Sequence, residues 1–285
     1  MTKKHLFFLI YLILLLAIAF VLYRIRPLSK VNVSKITPTE KPTPTPFVFT
    51  SYSAPKIESK KVYKIVLIGD SMTAALGPHG GELSEYMNNL YKKTSADPQR
   101  IIIDNYAKSS NILVVDEELL WKTTVSEYTL QPLLSTDFDL ILIESYGYNP
   151  LSQFGLEEGL RQQNNSLDKL MAKIITARPQ AAIIFITTIA PNIANYAKNT
   201  QPNNSDAERS KLAQERIAYL KNHNEYAKMH KIPLINIYEK SLTGNGDGDM
   251  KYINTTDDIH PSFQGVTFIS HQIADFIHDN QILPN

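Results

Sequence analysis

From Val62 onward the chain alternates short apolar runs with longer amphipathic stretches, and this alternation narrows the available folds more than any other feature. Five short runs rich in β-branched and aliphatic residues read as strands: Val62–Ile68, Ile101–Asn105, Leu140–Glu144, Ala182–Thr187 and Pro233–Ile237. Between them, Glu82–Lys93, Leu160–Ala177 and Asp206–Met229 carry helical spacing, and a last helix is expected from about Ser262 to His278. Ser205, with Glu208 three residues on, has the register of a capping box and marks the start of the third of these helices. Strands that alternate with helices are joined by right-handed crossovers, which produce a parallel sheet covered on both faces. The expected fold is therefore α/β: a three-layer α/β/α sandwich around a five-stranded parallel sheet. The run "AAIIFIT" has no polar face, as suits a central strand of such a sheet. No internal repeat is present.

What precedes Val62 is of a different kind. "MTKKHLFFLIYLILLLAIAFVLYRIR" has a basic start, an uncharged apolar run from Leu6 to Tyr23, and then Arg24 and Arg26. As a helix this run would cover roughly 27 Å, close to the thickness of a bilayer core. Ala17 and Ala19 resemble a signal-peptidase site, but cleavage there would leave Phe20 and Val21 at the new terminus, inside the same apolar run. An uncleaved single-pass anchor over residues 1–26 is the expectation, with the long following domain on the extracytoplasmic side of the cell membrane. Residues 27–60 carry Thr-Pro units and six of the 16 prolines, which suit an extended, polyproline-like spacer. A catalytic domain would then occupy 61–285.

Composition excludes several classes of function. The net charge is +1, and no basic stripe with interleaved aromatics suggests a nucleic-acid partner. The absence of cysteine removes disulfides, thiol catalysis, thiolate zinc sites and an N-terminal lipid-modified cysteine.

In open α/β sheets ligands bind beyond the carboxyl ends of the strands, so the residues standing there are the candidates for chemistry. After the first strand comes Gly69-Asp70-Ser71; after the second "NYAKSSN", with Ser109, Ser110 and Asn111; after the third "ESYGYNP", with Gly147 and Asn149. Just before the last helix stands "TTDDIHPSFQG", with Asp257 and His260. A serine hydroxyl becomes a nucleophile when a base takes its proton and an acid fixes the base's tautomer. Asp257 lies three residues before His260 and can fold back onto one ring nitrogen, leaving the other for Ser71, whereas Asp258 is expected to point away. The backbone N–H groups of Ser71 and Ser110 and the Asn149 amide are candidate donors to a developing oxyanion. Taken alone, Ser71 reads as well as a helix N-cap, and Asn149 as a turn residue.

The ordered set GDS, N-x-A-x-S-S, G-x-N and D-x-x-H-P resembles the SGNH (GDSL) hydrolases over nearly the whole of the chain from Val62. That resemblance implies a flavodoxin-like sandwich and a serine esterase with Ser71 as nucleophile, His260 as base and Asp257 as its orienting acid. It also implies an oxyanion hole of Ser71, Ser110 and Asn149. Two positions depart from the family pattern: Ser110 stands where the family has a glycine, and Pro150 where it has an aspartate. Asp70, Tyr148 and Glu144 are further candidates, as residues lining the substrate, with no metal or cofactor expected.

Other motifs have plainer readings. His79 in "GPHGG" reads as part of an exposed loop, and His271 and His278, seven apart without acidic or cysteine partners, do not make a metal pair. "GNGDGDM" lacks the spacing of a calcium loop and reads as a flexible segment at the substrate mouth. With the anchor, the resemblance implies an esterase acting on small-molecule or glycan esters of the envelope, O-acetyl groups above all. A lipase or lysophospholipase, a glycan O-acetyltransferase and a silent glycan-binding module are the alternatives.

Overall fold

The computed structural model describes residues 51–92, 100–110, 113, 120–125 and 127–284. All of them lie in one unit, Phe47–Asn285. Its centre is a parallel sheet of five strands: β1 (Val62–Ile68), β2 (Arg100–Asn105), β5 (Leu140–Glu144), β6 (Ala182–Ile186) and β7 (Leu234–Ile235). The spatial order is β2-β1-β5-β6-β7, so the chain first moves to one edge and then returns past β1 to build the other half. The point of reversal lies between β1 and β5, where an open α/β sheet leaves a crevice at its carboxyl edge.

Side-chain alternation along the strands divides the core in two. Ile65 and Leu67 of β1, with Leu142 and Ile184, pack in one cluster with Leu83 and Met87 of α2 (Gly81–Leu90) and Ile269, Ile273 and Ile277 of α6 (Phe263–Asp279). Val66, Ile68, Ile143 and Phe185 belong to the other, with Leu167, Leu170 and Ile174 of α3 (Leu156–Ala177) and Tyr226 of α4 (Asp206–Met229). Every residue of β5 and β6 is buried, as a strand covered on both faces requires. The three-layer sandwich expected from the alternation is the architecture found.

The helices begin where local chemistry allows. Ser205 and Glu208 form the full capping box at the start of α4, and the Ser262 hydroxyl accepts the Gly265 N–H at the start of α6. The fifth strand is shorter than expected. Asn236 turns its side chain to the Glu239 N–H and starts a one-turn helix, α5 (Ile237–Lys240), so Ile237 is helical rather than extended. A small antiparallel hairpin, β3 (Thr123–Val125) and β4 (Tyr128–Leu130), was not anticipated at all.

The folded unit also starts earlier than Lys61. Tyr52 and Ile57 are buried, the Tyr52 N–H donates to the His230 carbonyl at 2.8 Å, and the Tyr52 hydroxyl accepts the Ile183 N–H of β6 at 2.7 Å. The last ten residues of the expected spacer are therefore pinned to the folded unit at Tyr52 and Ile57. The expected anchor, 1–26, and the Thr-Pro units lie outside the described residues. Among the described residues, no helix is long and apolar enough to cross a membrane.

Candidate active site

β1 ends at Ile68, and the chain passes through Gly69 and Asp70 into a one-turn helix, α1 (Ser71–Ala74). Asp70, not Ser71, is the cap: its carboxylate accepts the Met72 N–H at 2.9 Å. Ser71 is thereby the first helical residue, with its hydroxyl released from capping. Gly69 has a separate reason to be glycine, since a Cβ there would lie 2.7 Å from the Cβ of Glu144.

Asp257 and His260 arrive on a turn closed at its base. The Asn254 N–H donates to the His260 carbonyl at 2.8 Å, the Asp258 N–H donates to the Asn254 carbonyl at 2.8 Å, and Ile253 pairs with Pro261 across the base. Within the turn, the Asp257 Oδ1 accepts the N–H groups of Ile259 at 2.8 Å and His260 at 2.9 Å. Its Oδ2 lies 2.8 Å from His260 Nδ1, and His260 Nε2 lies 3.0 Å from Ser71 Oγ. Burial works against the Asp257 charge, yet the two amides and the His260 ring outweigh it and hold the carboxyl below its ordinary range. Because an ionised carboxylate only accepts, the hydrogen sits on Nδ1 and leaves Nε2 with a lone pair toward Ser71. Asp258 turns the other way and takes the Asn199 N–H at 3.2 Å.

The candidate oxyanion donors Ser71, Ser110 and Asn149 all lie among the described residues. Asn149 follows a tight turn in which its N–H donates to the Tyr146 carbonyl at 3.1 Å. Ser110 has φ 58°, the left-handed backbone that a glycine adopts without strain. The serine therefore keeps the backbone shape that a glycine would take there, with an exposed side chain. Its loop is tied to the first one, since the Lys108 N–H donates to the Gly69 carbonyl at 3.4 Å.

Asp70, Tyr148 and Glu144 do not line a substrate surface. Asp70 and Glu144 are completely buried, and Tyr148 is 5% exposed. The Tyr148 N–H donates to Asp70 Oδ2 at 3.2 Å and its hydroxyl donates to the Ile189 carbonyl at 3.1 Å. Glu144 accepts the Asp70 N–H at 3.2 Å and, on its other oxygen, the Ser145 hydroxyl. Burial raises both carboxyls, and in Glu144 the neighbouring Asp70 charge adds to it. Tyr146 is buried as well.

Residues that the sequence did not single out complete the frame. Asn105, fully buried at the end of β2, donates from its side chain to the carbonyls of Thr73 at 2.9 Å and Gly77 at 3.0 Å, bracing α1. It is the first residue of the N-x-A-x-S-S motif, which was the available signal. Gln163 of α3 holds the Ser145 carbonyl at 2.8 Å from a helix with no motif. Elsewhere, His271 does have an acidic partner, Glu82 at 3.2 Å. Among the described residues no group of three or more metal-ligating side chains assembles. "GNGDGDM" is tied down rather than free: Asp247 accepts the Ile193 N–H at 2.7 Å, and a Cβ at Gly248 would lie 2.3 Å from the Ala190 carbonyl oxygen.

No family model matches the chain, and no curated protein does. Solved structures do. A protein described as a GDSL-like lipase from Parabacteroides merdae superposes with a TM-score of 0.53 at 15% identity, covering 80% of this chain and 100% of its own. One described as a platelet activating factor from Streptococcus pneumoniae gives 0.50 at 14% identity, covering 80% and 86%. The fold is that of the SGNH (GDSL) hydrolases, and the resemblance read from the motifs extends across the sheet.

Proposed function

We propose that this chain is a serine ester hydrolase working through Ser71, His260 and Asp257. The observation that carries the reading is the continuous relay from Asp257 Oδ2 through the His260 ring to Ser71 Oγ, with contacts of 2.8 and 3.0 Å. In the first half-reaction Ser71 Oγ attacks the ester carbonyl carbon while His260 Nε2 takes the hydroxyl proton. Charge then develops on the carbonyl oxygen, where the Ser71 and Ser110 N–H groups and the Asn149 amide serve as donors. His260 returns its proton to the leaving alcohol oxygen, and the carbon–oxygen bond of the ester breaks. Water then attacks the acyl-enzyme, gives its proton to Nε2, and Ser71 is regenerated with release of the acid. Asp257 stays ionised throughout and holds the imidazolium that forms in each half-reaction.

The acyl group is short and the alcohol is an envelope glycan; in this reading the enzyme is held at the outer face of the cell membrane by residues 1–26. The apolar run Leu6–Tyr23 and the Thr-Pro segment behind it support that placement. A fluorophosphonate probe tests the chemistry. The folded protein should take one label, and Ser71→Ala none; an unlabelled wild type, or an equally labelled variant, ends the proposal. Acetate release from O-acetylated glycan tests the substrate. Cleavage of long-chain acyl esters without acetate release would replace it with a lipase.

A further inference from the structure

The β3–β4 hairpin has no part in the relay, yet it is fastened beside the site from two directions. Tyr106, which leads from β2 toward Ser110, donates its hydroxyl to the Gln131 carbonyl at 2.8 Å, one residue past the end of β4. From the loop after α1, His79 meets the Tyr128 ring edge-on, with ring centres 4.7 Å apart. Thr123 and Leu130, paired across the hairpin, are both buried.

This anchoring leaves Trp121 out in the solvent. It is the only tryptophan of the chain and is 64% exposed. With Lys108, Lys122, Thr123 and Thr124 it lines a cavity of about 390 Å³. That size falls within the range of small-molecule sites, roughly 300–1,000 Å³. Lys108 fixes where the cavity lies. Its N–H donates to the carbonyl of Gly69, two residues before Ser71, and Lys108 itself stands two residues before Ser110. The cavity therefore adjoins the nucleophile on the side of the Ser110 loop.

The lining selects among the parts of an ester substrate. An indole face in water is covered favourably by a partner with an apolar face of its own. A long acyl chain would have to lie against two ammonium groups as well, and stripping their water opposes its transfer. A sugar ring has both parts that are needed: C–H groups to lie on the indole, and hydroxyl oxygens around its edge to accept from the lysines, each of which carries three donors.

We propose that Trp121, Lys108 and Lys122 form a subsite for a sugar ring of a glycan substrate, next to the ring whose ester Ser71 attacks. The preferred alcohol is then an oligosaccharide rather than a single sugar, and Trp121 is a specificity-determining residue. The proposal rests on Ser71 being an esterase nucleophile, so its first test is independent of turnover. Because the chain has one tryptophan, its emission reports on this cavity alone. Ser71→Ala, titrated with cello-, xylo- and chito-tetraose, should show a saturable blue shift with at least one of them. No shift with any of the three overturns the subsite, even where a fluorophosphonate labels Ser71 in the wild type. A shift with octanoate and with none of the tetraoses overturns it in favour of an acyl-chain site.

The second test reads specificity. On the O-acetylated form of the tetraose that binds, Trp121→Ala should lower kcat/KM by about tenfold, mostly through KM. The loss on 4-nitrophenyl acetate, which is too small to span both positions, should be several-fold less; equal losses on the two esters overturn the subsite. Trp121→Phe restores an aromatic face and should recover most of the loss, whereas a phenylalanine variant no better than alanine counts against stacking. A wild type that hydrolyses neither ester ends the esterase reading, and the emission titration still decides the cavity.

Discussion

Ser71 stands between two acidic arrangements that the fold treats in opposite ways. In the turn before α6, Asp257 is partly open to water, is met by two backbone N–H groups and a ring N–H, and is held charged. Just past the end of β1 and at the end of β5, Asp70 and Glu144 are sealed from water; burial raises both, and the Asp70 charge raises Glu144 further. The same functional group thus serves as a fixed negative charge in one place and is pushed toward its neutral form in the other. What separates them is depth: burial leads the causes that raise Asp70 and Glu144, whereas the donors to the partly open Asp257 outweigh its burial.

The comparison predicts that Asp257 matters for turnover and Glu144 for stability. Asp257→Asn should keep the turn and reduce kcat by roughly 10³–10⁴, the scale set by loss of the correct histidine tautomer. A thermal midpoint near that of the wild type should accompany it; a variant that unfolds early instead would make Asp257 structural. Glu144→Ala should cost about 2–4 kcal/mol in denaturant unfolding, from the cavity and from the Asp70 N–H and Ser145 hydroxyl left unpaired. Gly69→Ala should cost about 1–3 kcal/mol by the same measurement, because its new methyl meets the Cβ of Glu144, which cannot swing aside.

A buried histidine sharpens the point about depth. His223 in α4 is fully enclosed and stacks on Phe185 with ring centres 4.3 Å apart. Burial pushes its pKa down to about 3, against a weak opposing pull from the Ile143 carbonyl. The unfolded chain therefore binds one more proton than the folded one between about pH 6.5 and about pH 3. Stability should fall through that window as pH drops, at up to about 1.4 kcal/mol per unit from this group. Denaturant titrations of His223→Phe should lack this part of the slope; an unchanged slope would mean the ring is hydrated. The smallest effect belongs to Ser110→Gly, where relief of left-handed strain and the added freedom of the unfolded chain nearly cancel. Less than about 1 kcal/mol in stability is expected.

Where side-chain chemistry is local, the sequence was sufficient. Apolar run lengths placed β1 and β5 at their observed bounds, and the three-residue spacing of Asp257 and His260 foretold their contact. The capping box of α4 needed only four consecutive residues. What escaped depends on contacts between distant segments. Ser71 looked like a cap because nothing local says that Asp70 will turn its carboxylate to the Met72 N–H. Asp70, Tyr148 and Glu144 looked like substrate contacts because polarity at a strand end marks the site's edge but not its depth. The β3–β4 hairpin has three-residue strands, too short for periodicity to register.

Residues 51–60 were misjudged for a related reason, since Tyr52 and Ile57 are isolated apolar residues in polar surroundings. Their packing carries the folded unit upstream of Lys61. A polypeptide started at Lys61, where the strand signal begins, would lack the hydroxyl that accepts the Ile183 N–H and the ring that fills the space beside β6. Such a truncation would open the middle of the sheet's second half to water while leaving every residue of the relay intact. Loss of activity in it would report a missing strap, and a fragment meant to be assayed should begin before Tyr52.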